Sequence, residues 1–285
     1  MAINPVLVGL VGIGVGPSLT PALHMAEGKA HGLDYLYRSI DLREIGVAPE
    51  RIGEILIWAR ALGFDALNIT HPCKQLVIPH LDTVDAAAAA LGAVNTVVFD
   101  GAKTIGYNTD APGFATGFAE GLPEASTENV VLLGAGGAGT AVGHALLDLG
   151  ADHLAVVDLD VDRAAALAGE LSARHPDARV DASAFDKLAV LLPHSDGIVH
   201  CTPTGMADHP GLPFDESLLH QDLWVADIVY RPLDTALLKA ARRAGCRTLD
   251  GGYMAVHQAT TAFELITGIE PDAARMSRHF RRLVA

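Results

Sequence analysis

The sequence has few cysteines and few basic residues, and each shortage excludes classes of protein. Its 3 cysteines among 285 residues, Cys73, Cys201 and Cys246, are odd in number and widely spaced, so we expect neither a disulfide framework nor a zinc site. Lysine and arginine number 20 against 34 acidic residues, which gives a formal net charge of −14. Without a basic cluster, we expect neither nucleic acid nor an anionic membrane as a partner.

Long apolar runs and metal-binding motifs are also missing. Half of the residues are hydrophobic, yet no run reaches the ~18 apolar residues of a membrane span. Residues 1–5 lack the basic segment of a signal peptide. The 13 histidines show no H-E-x-x-H motif or paired ligand spacing. We therefore expect a cytoplasmic protein without a metal, large enough for two domains, and the sequence leaves a homo-oligomer open.

The most informative stretch lies in the middle of the chain. Residues 130–133 are apolar and partly β-branched, which is typical of a buried strand in a parallel sheet. A helical pattern over residues 140–149 and a second short strand over 154–157 complete a βαβ unit. The turn between the first strand and the helix carries glycines at G-x-G-x-x-G spacing, namely Gly134, Gly136 and Gly139.

This βαβ unit predicts a dinucleotide-binding domain of the Rossmann type. Glycines permit the tight turn and let the backbone approach a pyrophosphate, which the helix N-terminus attracts. Asp158 ends the second strand, where a carboxylate accepts hydrogen bonds from ribose hydroxyls and repels a 2′-phosphate, so NAD is favoured over NADP. A glycine-rich turn without a ligand, and an Asp158 that caps a helix or is merely solvated, are the alternatives.

Strands and helices alternate along the rest of the chain, which predicts an α/β protein. The other predicted strands are residues 6–11, 35–41, 66–70, 96–99, 104–107, 197–201, 224–229 and 246–249. The other predicted helices are residues 49–62, 82–91, 163–171, 237–244, 255–267 and 271–284, with one more starting near Pro21 and one after Asp110. We expect residues 1–110 to form an α/β substrate-binding and catalytic domain. Residues 111–253 should form a doubly wound Rossmann-type NAD-binding domain, and the helices of about 254–285 should pack back on the first domain.

Two loops of the first domain carry candidate functional side chains. Ser18 and Thr20 stand beside Pro21, a residue typical of the first turn of a helix, so their hydroxyls lie near a positive dipole end. They could bind an anionic group such as a carboxylate or cap the helix, and both interpretations stay open. Lys74 follows a strand end and a proline turn, where a functional lysine and a solvated surface lysine are both compatible with the pattern.

Several motifs together resemble those of the shikimate dehydrogenase family, in the same order and over nearly the whole chain. Besides the glycine loop, they are Ser-x-Thr-Pro at Ser18, Asn-Ile-Thr-x-Pro-x-Lys at Asn68, Gly-Ala-Val-Asn-Thr at Gly92, Gly-x-Asn-Thr-Asp at Gly106, Thr-Pro-Thr-Gly-Met at Thr202, Asp-Ile-Val-Tyr-x-Pro at Asp227 and Asp-Gly-x-x-Met-x-x-x-Gln at Asp250. The resemblance implies a two-domain enzyme that exchanges a hydride between a nicotinamide and C3 of quinate or shikimate.

The resemblance also implies roles for individual residues. Ser18 and Thr20, helped by Tyr230, would hold the substrate carboxylate, while Lys74 and Asp110 would form the catalytic acid–base pair. The residues implied at the ring hydroxyls are Thr70, Asn95, Asp110 and Gln258. The residues that we expect to bind the dinucleotide are Gly134, Gly136, Gly137, Ala138, Gly139, Asp158, Arg163, Thr202, Pro203, Thr204, Gly205, Met206, Ile228 and Gly251.

Three departures from the family pattern refine this expectation. Thr20 replaces the second serine that is usual in biosynthetic shikimate dehydrogenases, and members with Ser-x-Thr tend to accept quinate. Residues 158–160, Asp-Leu-Asp, replace the Asn-Arg-Thr of NADP-dependent members, so NADP should bind poorly. Cys73 and His71 replace a histidine and an aliphatic residue beside Lys74, for which the sequence offers no physical reason.

The resulting expectation is an NAD-dependent quinate/shikimate dehydrogenase that serves quinate breakdown more than aromatic biosynthesis. One alternative is an NADP-linked biosynthetic shikimate dehydrogenase with an unusual nucleotide loop. The other is a catalytically silent regulator that binds NAD or a metabolite on the same fold, because a fold by itself does not establish an activity.

Overall fold

The computed structural model describes residues 5–284. Residues 1–4, which belong to the stretch without a signal-peptide pattern, and residue 285 lie outside the described residues. The chain folds into two compact units. One consists of residues 5–109 together with 258–283, and the other of residues 110–257. The predicted roles of the two domains in binding substrate and dinucleotide stay a prediction.

The first unit is built around a six-stranded mixed sheet in the order β2-β1-β3-β5-β6-β4. Its strands are β1 Val6–Gly12, β2 Tyr35–Asp41, β3 Ala66–Ile69, β4 Thr83–Val84, β5 Thr96–Asp100 and β6 Lys103–Tyr107. Its helices up to residue 109 are α1 Thr20–Ala30, α2 Ile52–Ala61, α3 Cys73–Leu76 and α4 Ala86–Leu91. The central strands β1 and β3 pair in parallel and are almost wholly apolar and buried, as expected for strands covered on both faces.

The second unit contains a six-stranded, wholly parallel sheet in the order β12-β11-β10-β7-β8-β9. Its strands are β7 Asn129–Leu133, β8 His153–Asp158, β9 Arg179–Ala184, β10 Gly197–His200, β11 Trp224–Asp227 and β12 Arg247–Leu249. Its helices are α5 Asp110–Gly121, α6 Gly137–Asp148, α7 Val161–Arg174, α8 Leu188–Leu191 and α9 Ala236–Arg243. The strand order is that of a Rossmann-type doubly wound sheet, which confirms the predicted fold class.

The last two helices are α10 Gly252–Thr267 and α11 Ala273–Val284. Within the first unit, Phe263 of α10 stacks on Tyr35, with ring centroids 5.4 Å apart. On α11, the Arg275 guanidinium donates two hydrogen bonds to the carboxylate of Glu27. The Nη2–Oε1 distance is 2.6 Å and the Nε–Oε2 distance is 2.8 Å. Because Glu27 is only 1 % exposed, this bidentate pair and two apolar rings tie the C-terminal helices to α1 and β2.

The structure contains four short elements that the sequence does not predict, namely α3, α8, β4 and β9. The helix predicted over residues 82–91 is wrong in its first turn, because Thr83–Val84 pairs with β6 and the helix begins only at Ala86, where the Asp85 carboxylate accepts the N–H of Ala87. Strand β9 was not predicted. It lies at the edge of its sheet and is half exposed, so its sequence, RVDASA, lacks an apolar signal.

Two kinds of feature are missing from residues 5–284. None of their helices is long and apolar enough to cross a membrane. Nor do their histidine, cysteine, aspartate and glutamate side chains form a group of three or more that could hold a metal ion.

Candidate functional site

The loop after β1 presents two hydroxyls at the start of α1. Ser18 Oγ accepts the backbone N–H of Thr20 at 3.3 Å and donates to Thr20 Oγ1 at 3.2 Å. Leu19 occupies the N-cap position and its side chain makes no capping hydrogen bond, whereas Ser18 Oγ satisfies the N–H of Thr20, the first residue of α1. The structure therefore leaves both the capping and the anion-binding interpretations of Ser18 and Thr20 open. The two half-buried hydroxyls stand together beside the first turn of α1, where backbone N–H groups attract an anion.

Backbone contacts gather Thr70, Lys74 and Asn95 in one region of the first unit. Asn95 O accepts the N–H of Ile69, the residue before Thr70, at 2.7 Å. Lys74 O accepts the N–H of Val94, the residue before Asn95, at 2.9 Å. Thr70 directly follows β3, Lys74 is the second residue of α3, and Asn95 directly precedes β5. Thr70 and Lys74 are half-buried and Asn95 is buried.

A buried polar network holds the Asn95 side chain in one orientation. Its Oδ1 accepts the Thr96 hydroxyl at 3.0 Å and the Thr109 N–H at 2.9 Å, while its Nδ2 donates to Thr109 Oγ1 at 2.9 Å. Behind it, Asn68 Nδ2 donates to Thr96 Oγ1 at 2.9 Å, and the Tyr37 hydroxyl donates to Asn68 Oδ1 at 2.6 Å. The sequence pattern had not identified this support. Polar residues on otherwise apolar strands are the signal that could have revealed it.

The two unusual neighbours of Lys74 differ sharply in exposure. Cys73 is fully buried in the core of the first unit, and burial raises the pKa of its thiol to about 11, so the thiol stays protonated and acts as a small apolar side chain. His71, in contrast, is exposed. Packing therefore accounts for the cysteine that replaces the family's histidine, and nothing in the structure explains the histidine at position 71.

The glycine loop of the second unit leaves space for a ligand at the start of α6. A Cβ on Gly139 would lie 1.9 Å from Gly134 O, and Gly134 itself has a φ of +112°, so the turn requires glycine at both positions. At Gly137, the first residue of α6, a Cβ would meet no atom of residues 5–284 within 4 Å. An open, positively polarised helix start next to a glycine turn fits the pyrophosphate of a dinucleotide.

Asp158 connects the end of β8 to this loop. Its Oδ2 accepts the N–H of Ala135 at 2.7 Å, and its Oδ1 accepts the N–H of Asp160 at 3.0 Å. Asp160, not Asp158, caps α7, because its carboxylate accepts the N–H of Arg163 at 3.3 Å. The helix-capping interpretation of Asp158 is therefore wrong. The Arg163 side chain reaches the same loop, since its Nη2 lies 3.5 Å from the position of a Cβ on Gly136.

The other predicted dinucleotide residues follow the neighbouring strands. Residues 202–206 come after β10, Ile228 comes after β11, and Gly251 comes after β12. The last two are in close contact, because a Cβ on Gly251 would lie 2.4 Å from Ile228 O. The structure therefore brings them, with Asp158, to the carboxyl edge of the parallel sheet, where open α/β sheets bind their ligands.

A buried hydrogen-bonded pair of side chains lies under this edge, and the sequence pattern had not identified it. His200 is fully buried and Asp227 is 2 % exposed, and the distance from His200 Nδ1 to Asp227 Oδ1 is 2.9 Å. Each residue is the last of a buried strand. A polar residue that ends an otherwise apolar strand is again the signal that could have pointed to the pair.

Three predicted substrate residues remain. Asp110 is the first residue of α5 and is buried, and Tyr230 follows β11 and is half-buried; both belong to the second unit. Gln258 lies in α10, is half-buried and belongs to the first unit. The roles of these three residues stay predictions.

Comparisons with known proteins agree on one family and differ in the cofactor of its members. The family model of the shikimate dehydrogenase substrate binding domain matches residues 10–97. The NADP(+)-dependent shikimate dehydrogenase of Streptomyces avermitilis is 61 % identical over 270 residues, which covers 95 % of this chain and 93 % of that protein. The NAD(+)-dependent quinate/shikimate dehydrogenase of Corynebacterium glutamicum is 49 % identical over 284 residues, which covers 98 % of this chain and 99 % of that protein.

A solved structure matches over almost the same length. The quinate dehydrogenase from Corynebacterium glutamicum in complex with NAD superimposes with a TM-score of 0.91 at 48 % sequence identity, and the match covers 98 % of this chain and 99 % of that one.

Proposed function

The chain belongs to the shikimate dehydrogenase family, and from that membership we propose that it oxidises the C3 hydroxyl of quinate and of shikimate with NAD. The products would be 3-dehydroquinate and 3-dehydroshikimate, and the reaction would be reversible. The relatives share one activity, the oxidation or reduction of shikimate or quinate with a nicotinamide cofactor. Beyond this shared activity, we propose that the chain uses NAD and that it serves the breakdown of quinate.

The observation that carries the choice of NAD is the fixed carboxylate of Asp158. Two backbone N–H groups hold it at the end of β8, beside the glycine loop. A carboxylate at this position of a Rossmann unit accepts hydrogen bonds from ribose hydroxyls. An additional 2′-phosphate would bring negative charge close to Asp158 and Asp160, and like charges at such short range repel.

The residues present fit a bound dinucleotide. The loop formed by Gly134, Gly136 and Gly139 would bind the pyrophosphate. Asp158 and Arg163 would face the adenosine ribose. The segments after β10, β11 and β12 would line the nicotinamide half. When bound, the nicotinamide would supply the acceptor for the hydride that leaves C3.

The first unit offers the groups that a polyhydroxylated ring acid requires. The hydroxyls of Ser18 and Thr20, at the start of α1, would bind the carboxylate with help from Tyr230. The methyl group of Thr20 alters the shape of that pocket, and one methyl group is worth ~1–3 kcal/mol of discrimination between substrates. Thr70, the fixed amide of Asn95, and Gln258 would bind the ring hydroxyls.

Lys74 and Asp110 would handle the proton of the reacting hydroxyl as a pair. Oxidation of an alcohol requires a base for that proton, whereas reduction of the ketone requires an acid. A lysine ammonium is the natural acid for reduction, and an adjacent carboxylate favours the charged ammonium. During oxidation the same carboxylate opposes the base role of Lys74, because it favours the ammonium, so we assign the acid–base step to the pair and not to Lys74 alone.

An NADP-linked shikimate dehydrogenase is the second candidate function. The 61 % identical relative from Streptomyces avermitilis carries that name. Arg163 supports it as well, because a guanidinium at the glycine loop can offset the charge of Asp158 and pair with a phosphate. A catalytically silent regulator is the third candidate, and turnover by the purified protein would exclude it.

The proposal includes a cytoplasmic location. Cys73, Cys201 and Cys246 are all free and buried, which fits a reducing compartment. A homo-oligomer stays a prediction.

The proposal is tested by removing the charge of Asp158 without removing its shape. We expect Asp158→Asn to lower kcat/KM for NAD by about tenfold and to raise kcat/KM for NADP by a similar factor, because one carboxylate–ribose contact and one repulsion are lost. Asp186→Asn, at an exposed aspartate of the same unit outside residues 158–160, is the matched control and should leave the cofactor ratio unchanged. If the ratio of kcat/KM for NAD to kcat/KM for NADP changes equally in both variants, or in neither, Asp158 does not select the cofactor.

A further inference from the structure

The carboxyl ends of β10 and β11 are joined by a buried hydrogen-bonded pair of side chains. His200 and Asp227 are register partners in the parallel ladder, and both side chains have no exposed surface. Taking two such groups out of water is costly unless each is fully hydrogen-bonded. All the partners of this pair lie in the turns that follow the two strands, which is where the dinucleotide residues are predicted.

Asp227 holds the turn after β11. Its Oδ1 accepts the N–H of Val229 at 3.0 Å as well as His200 Nδ1, and its Oδ2 accepts the hydroxyl of Thr235 at 2.7 Å. Thr235 in turn caps α9 by accepting the N–H of Leu238 at 3.2 Å. Because an ionised carboxylate only accepts hydrogen bonds, the Nδ1 atom of His200 carries a proton. Ile228, which lies between two residues of this network, is held in place by it.

His200 holds the turn after β10. Its Nε2 lies 2.5 Å from Thr202 Oγ1, and that oxygen also accepts the N–H of Thr204 at 3.4 Å. The methyl group of the same Thr202 packs on the glycine loop, 3.0 Å from the position of a Cβ on Gly134. The orientation of one threonine therefore links the turn after β10 to the loop predicted for the pyrophosphate.

We propose that His200 is a positioning residue for dinucleotide binding. Its imidazole connects the carboxylate of Asp227 to the hydroxyl of Thr202, and it thereby fixes residues 202–206 and Ile228 relative to the glycine loop. The inference rests on the proposed function, because it requires these turns to bind a dinucleotide. It assigns His200 no contact with the substrate or the reacting atoms.

The experiment compares binding of dinucleotide with binding of substrate in a set of variants. His200→Leu and Thr202→Val each break the contact between side chains 200 and 202, and Thr202→Val leaves the hydrogen bond between His200 and Asp227 intact. Thr202→Ser retains the hydroxyl. His144→Leu is the matched control, since His144 is 5 % exposed in the same unit and hydrogen-bonds His175. NADH and NADPH are each titrated by their fluorescence, shikimate by calorimetry, and Tm is recorded for every variant.

We expect His200→Leu and Thr202→Val each to raise the dinucleotide Kd by about tenfold, the size of one lost hydrogen bond. The variant that carries both His200→Leu and Thr202→Val should show the same tenfold increase in Kd, because the two substitutions break the same contact. Thr202→Ser keeps the hydroxyl but loses the methyl group that packs on the glycine loop, so its Kd should rise by less than that of Thr202→Val. His144→Leu should keep the Kd within about twofold, and the affinity for shikimate should not change in any variant.

Three results would overturn the inference. A Thr202→Val or folded His200→Leu variant with an unchanged dinucleotide Kd removes the positioning role while leaving the proposed function in place. A double variant whose effect is the product of the single effects shows that the two side chains act separately. A wild-type chain that binds neither NADH nor NADPH overturns the proposed function and this inference together.

Discussion

Lys74 owes its position to the backbone around it. Its carbonyl oxygen accepts the N–H of Val94, and the carbonyl oxygen of Thr70 accepts the N–H of Cys73. The fully buried Cys73 then anchors the short helix α3 in the core. The backbone of Lys74 is therefore fixed on both sides in sequence, which is a first requirement for positioning an acid–base side chain.

Replacement of Lys74 should remove catalysis and leave dinucleotide binding unchanged. We expect Lys74→Ala to lower kcat by at least ~100-fold, the usual contribution of a positioned acid or base. Kd for NADH should stay within about twofold, because the predicted dinucleotide residues all lie in the other unit. Lys29→Ala, at an exposed lysine in the last turn of α1, is the control and should keep full turnover. A Lys74→Ala variant with more than about a tenth of the wild-type rate would contradict the assignment.

At the scale of elements, the sequence predicts those strands, turns and helices whose formation depends on residues close together in the chain. The strand–glycine turn–helix–strand unit was predicted because its apolar strands and its glycines are each required by sterics on the spot. Strand β4 was missed because two residues become a strand only through pairing with β6. The contact between His200 and Asp227 depends on the lateral register of β10 and β11, which no local pattern encodes.

The residues of the candidate site also divide into those that the sequence predicts and those that it does not. Ser18, Thr20, Thr70, Asn95 and Lys74 could be named from motifs, and the structure gathers them as two groups within the first unit. The side chains that hold them, such as Tyr37 and Asn68 behind Asn95, could not. A supporting hydrogen bond joins residues far apart in sequence, so it becomes visible only when the strands are placed side by side.

The start of α6 supplies a prediction at this scale. A Cβ at Gly137 would occupy open space, so Gly137→Ala should fold normally and gain up to ~1 kcal/mol of stability from the lost chain entropy of glycine. The same methyl group would stand where the pyrophosphate approaches, so the Kd for NADH should rise by at least about tenfold. Thermal unfolding and a fluorescence titration measure the two effects.

Gly169→Ala on α7 is the matched control. A Cβ there also meets no atom of residues 5–284 within 4 Å, and the residue is likewise helical. It should raise Tm and leave the Kd unchanged. If Gly137→Ala binds NADH as tightly as Gly169→Ala does, the start of α6 is not the pyrophosphate site.

At the scale of the whole molecule, the first unit is built from both ends of the described chain. Buried polar groups mark the packing of α1 against α10, α11 and β2. His24 on α1 is fully buried, with its Nδ1 3.1 Å from the Tyr35 hydroxyl and its ring against Phe263. Burial lowers the pKa of His24 from 6.5 to about 3, so the folded protein holds this imidazole neutral.

Stability should therefore fall in mild acid. Below pH 6.5 the unfolded chain binds a proton at His24 that the folded chain does not bind until about pH 3. In that window the free energy of unfolding drops by up to ~1.4 kcal/mol per pH unit from this residue, and above pH 6.5 the loss is absent. Urea unfolding at several pH values between 4.5 and 7.5 measures the slope.

Two variants separate this effect from general acid denaturation. His24→Leu should flatten the slope below pH 6.5, even if its stability at pH 7.5 is lower. His209→Ala, at an exposed histidine, should leave the slope unchanged. Equal slopes for wild type and His24→Leu would show that His24 does not stay neutral in the folded protein.

The most direct test of the account is the initial rate of oxidation by the wild-type chain over a grid of quinate and shikimate against NAD and NADP. We predict turnover of both substrates, with kcat/KM highest for quinate with NAD and at least about tenfold lower with NADP, which is a difference of ~1.4 kcal/mol in transition-state binding. Shikimate with NADP as the best pair would contradict the roles given to Thr20 and Asp158, and no turnover with any pair would contradict the activity itself.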